Sequence, residues 1–150
     1  MQRILKYCFS LFLLCITNFS FLAQVKTLDS LLQAIEIAKH DTTRCFLLNT
    51  IVESYAEESI WVKYNIQMQD LAEKNLKSPG PADSLTKKTF LKYLSAALNN
   101  SGYLYDSKGD LPKAIEYYNR SLAIMKQIGN KEGIAVSLNN IGFIYDSQGN

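Results

Sequence analysis

The stretch AALNNSGYLYDSKGD, residues 96–110, recurs forty residues later as VSLNNIGFIYDSQGN, residues 136–150, with eight identities in fifteen positions. Most of the other pairs are conservative, as in Tyr103 against Phe143 and Leu104 against Ile144. A fixed period near forty residues is the mark of a solenoid, where each unit buries its apolar face by stacking on its neighbours.

Within one period, Leu94, Leu98, Gly102 and Tyr105 fall three or four residues apart, which places them on one face of a helix. Gly109 then breaks that helix, Asp110 can cap the next, and Pro112 falls in a first turn where its missing N–H costs nothing. The second helix presents Ala114, Ile115, Tyr118, Leu122 and Met125 on one side, so the pattern predicts that it packs back on the first. Gly102 and Gly142 lie inside predicted helices, where glycine costs about 1 kcal/mol relative to alanine. Close approach of the second helix, with Ala114 and Tyr118 meeting the bare backbone, is the expected compensation.

A helical Gly, an aromatic three residues on, a turn Gly, then Ala and an aromatic four apart resembles the tetratricopeptide repeat. Gly102, Tyr105, Gly109, Ala114 and Tyr118 carry the resemblance, and Gly142, Tyr145 and Gly149 repeat its first half. Ser121 departs from it, standing where the family usually has Ala, and no Pro ends the second helix. The extra residues around Gly129-Asn130-Lys131-Glu132-Gly133 are similar to the longer variant of the family. The resemblance implies an all-α solenoid of helical hairpins, incomplete at the C-terminus.

Outward from this pair the signal weakens. LLNTIVESY, residues 47–55, reads as a degenerate unit with Val52 in place of Gly and Tyr55 matching Tyr105. Ile60, Tyr64, Met68, Leu71 and Ala72 then mark its second helix, and Ser78-Pro79-Gly80-Pro81 ends it. Ahead of it, Leu28, Leu31, Leu32, Ile35 and Ala38 form a stripe behind a possible Thr27 cap, predicting a leading helix over the end of the stack. The expected organisation is a leading helix at 24–41, a degenerate hairpin at 42–77, a linker at 78–83, a repeat with an extended first helix at 84–134, and the first helix of another at 135–150.

Residues 1–23 carry Arg3 and Lys6, no acid, and an apolar stretch from Tyr7 to Leu22 before Ala23, which reads as an export signal, with an uncleaved anchor as the alternative. Without them the basic count falls from 16 to 14 and equals the 14 acids. A neutral remainder offers no basic stripe for phosphates, so nucleic acid is not an expected partner. Cys45 is the one thiol beyond the signal and cannot form an internal disulfide.

The sole histidine, His40, is expected on the surface near a helix C-terminus. Beyond the signal there is no pair of histidines or cysteines and no Gly-rich phosphate loop, so no metal, cofactor or catalytic role is expected within these residues. The polar positions that repeat are Asn99, Asn100, Tyr103 and Asp106, returning as Asn139, Asn140, Phe143 and Asp146. The resemblance implies that this face lines a concave groove in which carboxamides hydrogen-bond an extended peptide. Structural bridging by Asn100 and Asn140, a turn role for Asp106 and Asp146, and inter-repeat packing by Tyr103 and Phe143 are the alternatives.

The expected function is an exported module for protein–protein interaction, holding a peptide or protein partner or associating with itself, and forming the front of a longer protein. EESIWVKYNIQMQDLAEKNL, residues 57–76, ahead of the two repeats, resembles the N-terminal regions of Bacteroidetes repeat proteins that end in histidine kinase or cyclase domains. That resemblance implies, as the alternative, a periplasmic sensory region.

Overall fold

The computed structural model of the protein describes residues 27–78 and 83–149, and these contain six helices and no strand. The expected export signal at 1–23 and most of the linker lie outside the described residues. α1 spans Leu28–Ile37, α2 Asp41–Ser54, α3 Glu58–Lys77, α4 Ser84–Ser107, α5 Leu111–Ile128 and α6 Lys131–Ser147. Each helix packs on the next in sequence, and α2 also touches α4. This is a stack of hairpins in which α2, α4 and α6 hold equivalent places and α3 and α5 lie between them.

Two short turns set that geometry. Gly109 adopts φ 77°, which lets the Asp110 N–H donate to the Tyr105 carbonyl at 2.9 Å and close the end of α4. The Asp110 carboxylate then accepts the Lys113 N–H at 3.3 Å and starts α5. Gly129, at φ 69°, and Asn130 repeat the device between α5 and α6, with the Asn130 side chain accepting the Gly133 N–H at 3.1 Å. One residue ends a helix and the next caps its successor, so the chain reverses with almost no loop.

Three expectations change at helix ends. α6 begins at Lys131 rather than 135, because Asn130 caps it there, so residues 131–134 of the long period belong to the helix. The leading helix stops at Ile37, where Ala38 turns extended, rather than continuing to 41. His40 is exposed, but it is the N-cap residue of α2 and not the end of the helix before it.

The core runs through the stack as successive layers. Leu31 of α1 is buried with Leu47, Leu48 and Ile51 of α2, Tyr64 and Met68 of α3 and Ala97 of α4, so α1 covers one end of the hairpins. Phe90, in the N-terminal extension of α4, meets Cys45 and Ala72. Ala114 and Tyr118 of α5 meet Ile144 of α6. Each fully buried large side chain stabilises by about 1.5–3 kcal/mol relative to exposure, so these layers dominate the fold.

Gly102 shows the close approach its position suggested. A Cβ built there would lie 2.6 Å from Cε1 of Tyr118, whose ring is buried, so α5 can sit where it does only over a bare backbone. Ser121 has a structural reason for replacing Ala: its hydroxyl donates to the Ser95 carbonyl of α4 at 2.9 Å, beside the buried Ser137 hydroxyl of α6 at 3.4 Å. Small residues let α4, α5 and α6 converge, and the hydroxyls satisfy polar groups that the convergence takes from water.

Candidate partner-binding groove

Two clefts lie along α2 and α4, and the polar character of this side begins with one buried carboxamide. Asn65 of α3 is 2% exposed and fully engaged: its Nδ2 donates to the Ala97 carbonyl at 3.0 Å and to the Ser101 hydroxyl at 3.3 Å. Its Oδ1 accepts from Asn100 Nδ2 at 2.9 Å. Farther along, Asn140 Nδ2 donates to Asn99 Oδ1 at 3.0 Å, tying α6 to α4. Each bond fixes an amide plane, and among the described residues the remaining Nδ2 of Asn99 and Oδ1 of Asn100 have no protein partner. A donor and an acceptor on adjacent residues are thus oriented and unused.

Both residues open onto a cleft of ≈ 360 Å³ between α2, α4 and the start of α6, whose walls include Asn49, Lys92, Glu132 and Val136. A second cleft of ≈ 400 Å³ lies where α2 turns into α3, walled by Val52, Glu53, Tyr55, Trp61, Asn100 and Tyr103. Glu53 and Asn100 belong to both, so the two clefts are successive parts of one groove. Glu53 Oε1 accepts from Asn49 Nδ2 at 2.8 Å, which steadies the carboxylate at the junction.

Of the eight repeated polar or aromatic positions, Asn99, Asn100 and Tyr103 line these clefts. Asn140 reaches the groove through its bond to Asn99. The other four are not gathered there. Asn139, Phe143 and Asp146 stand exposed on α6 and border neither cleft. Asp106 is half-buried near Tyr118; burial, and then the Asp106 charge, push the Tyr118 hydroxyl up to about 12. Equal sequence positions thus have different neighbours, and only some of the eight border these two clefts.

Asn100 both bridges to Asn65 and lines the two clefts, so the bridging position and the cleft position coincide there. Tyr103 packs against Trp61, ring centroids 6.3 Å apart, and is still 61% exposed. Tyr105 stacks on Tyr117 at 5.3 Å outside the groove. Sequence reasoning missed Asn65, Glu53 and Trp61. Asn65 had a signal, since it lies between Trp61 and Met68 at helical spacing on the buried side of α3; Glu53 and Trp61 had none, because only folding brings the turn after α2 beside α4.

Among the described residues, no three metal-ligating side chains converge and no helix is long and apolar enough to cross a membrane. In comparison with known proteins, residues 93–150 match the tetratricopeptide repeat family. No curated protein and no solved structure matches the chain.

Proposed function

Starting from a tetratricopeptide-type all-α solenoid, whose repeats at 93–150 generally mediate protein–protein interaction, we propose that this chain holds an extended segment of a partner protein along the face of α2 and α4. The observation that carries the reading is the pair of unused, oriented amide groups on Asn99 and Asn100 beside two connected clefts. An extended backbone presents a carbonyl and an N–H at each residue, and a fixed donor and acceptor can satisfy them without requiring a sequence.

Panning a random-peptide display library over the full chain tests this. Enriched peptides should bind the Asn99→Ala variant about tenfold more weakly, the loss of one hydrogen bond made in a desolvated groove, with unchanged helicity by circular dichroism. Peptides indifferent to Asn99 and to Asn100 would overturn it.

Residues 1–23 support an exported, envelope location, and N-terminal sequencing of the protein from that fraction should begin near Gln24; intact Met1 in the cytoplasm would refute it. A sensory role ahead of a signalling domain is the second reading, supported by the resemblance carried on residues 57–76, and the reading frame beyond Asn150 tests it.

A further inference from the structure

We propose that the second cleft is a subsite for a cationic side chain, the guanidinium of an arginine or the ammonium of a lysine, contributed by the bound segment. The inference rests on the groove reading above and adds to it the chemistry of one residue of the ligand.

Three features of the cleft converge on a positive charge. Its aromatic walls are Tyr55, Trp61 and Tyr103, and the Trp61 and Tyr103 rings are tilted at 52° to each other. The faces of such rings attract cations through their quadrupoles, with Trp the strongest. The single charged residue lining the cleft is Glu53, and with Oε1 held by Asn49 its Oε2 has no protein partner among the described residues. Residues 52–54 at the C-terminal end of α2, with Tyr55 and Ala56 just beyond it, form the remaining wall, and the last turn of that helix holds no basic residue. The negative end of the helix dipole and its terminal carbonyls are therefore uncompensated where the cleft opens.

Charge complementarity chooses among ligands. No Lys or Arg lines the cleft, which disfavours a carboxylate or a phosphorylated residue. Lys108, at the end of α4, is spoken for by Glu58 at 2.9 Å. The first cleft, by contrast, places Lys92 beside Glu53 and Glu132 and has no aromatic residue among its walls, so a cation there would meet a like charge and no ring face. An apolar side chain could fill the same volume, but it would cover the Glu53 carboxylate without pairing it, at a desolvation cost.

Trp61 is the only tryptophan in the sequence, so intrinsic fluorescence reads this cleft directly. The probes are the capped pentapeptide Gly-Ser-Arg-Ser-Gly and its lysine, citrulline and norleucine counterparts, titrated into the full chain. The arginine and lysine peptides should change Trp61 emission saturably, and the citrulline and norleucine peptides should bind at least about tenfold more weakly. Glu53→Gln and Tyr103→Leu should each weaken the arginine peptide several-fold, whereas Glu116→Gln, an exposed charge on α5, should leave it unchanged. Circular dichroism of the three variants separates loss of the site from loss of the fold.

Equal or tighter binding of norleucine, no response to arginine at about 10 mM peptide, or indifference to Glu53→Gln would each overturn the subsite. The two readings fail separately. Display-selected peptides that need Asn99 but carry no cation and ignore Glu53→Gln would keep the groove and remove the subsite. Arginine docking at Trp61 with no selected peptide needing Asn99 would do the reverse.

Discussion

Leu98, Gly102 and Tyr105 in α4 correspond to Leu138, Gly142 and Tyr145 in α6, yet the two sets live in different surroundings. Leu98 is 1% exposed and Leu138 50%; Gly102 is packed under Tyr118, while around Gly142 there is nothing within 4 Å of a built Cβ. On the opposite side the copies come closer, since Ala97 and Ser137 are both buried, and Ile144 is fully buried where its counterpart Leu104 is half-buried. The copies agree best at the Ala97 and Ser137 position, and the side that carries Leu98 and Gly102 differs most, because α5 lies over α4 and no described helix lies over α6. Burial in a solenoid belongs to the pair of neighbours, and the repeat motif alone does not confer it.

The largest test of this contrast is truncation of the paired leucines. Leu98→Ala should destabilise by about 3 kcal/mol through lost burial and a cavity, whereas Leu138→Ala should stay within about 0.5 kcal/mol. Chemical denaturation of the two variants reads the difference, and equal losses would break the comparison.

Alanine at the paired glycines should reverse sign between the copies. Gly102→Ala forces the buried Tyr118 ring away and should cost about 2 kcal/mol. Gly142→Ala meets open space in a helix and should stabilise by up to about 1 kcal/mol. Destabilisation at both sites would mean that Gly142 has a covering partner.

A smaller effect separates the carboxamides. Asn65→Ala leaves the Asn100 amide without its acceptor and removes one of the donors to the Ala97 carbonyl, which keeps the Ser101 hydroxyl, and should cost about 1.5 kcal/mol, while exposed Asn139→Ala should cost a few tenths by the same measurement.

The gentlest probe is alkaline pH. Tyr118 is raised in the folded state to about 12 from an ordinary 10, so the unfolded chain ionises first. The contribution of the neutral phenol is complete below pH 10 and is lost as pH rises from 10 toward 12. Stability measured across that window should fall with a steeper slope than in Tyr118→Phe, and matching slopes would show that the hydroxyl ionises freely.

The fold was legible where residues act locally. Gly109-Asp110 announces a helix end and a cap because positive φ and a short carboxylate are properties of those residues alone. The start of α6 was harder, since Gly133 so near a cap suggests a loop; it is tolerated in a first turn where Met125 crowds against it. The groove was legible only in part. Asn99, Asn100 and Tyr103 could be named from their repetition, but the same repetition also named Asn139, Phe143 and Asp146, which the fold leaves outside the clefts.

The sequence by itself determined that the chain forms stacked helices, the Thr27 and Asp110 caps and the apolar stripe of each hairpin, because periodicity, capping and glycine conformation are set within a few residues of chain. The tertiary structure alone decided which copy of a repeated residue is buried, that Asn65 is a fully bonded polar centre, and that Glu53, Trp61 and Tyr103 share a cleft. Those outcomes depend on contacts between residues on different helices, from Gly102 with Tyr118 to Trp61 with Tyr103, and only the stacked helices bring such residues together.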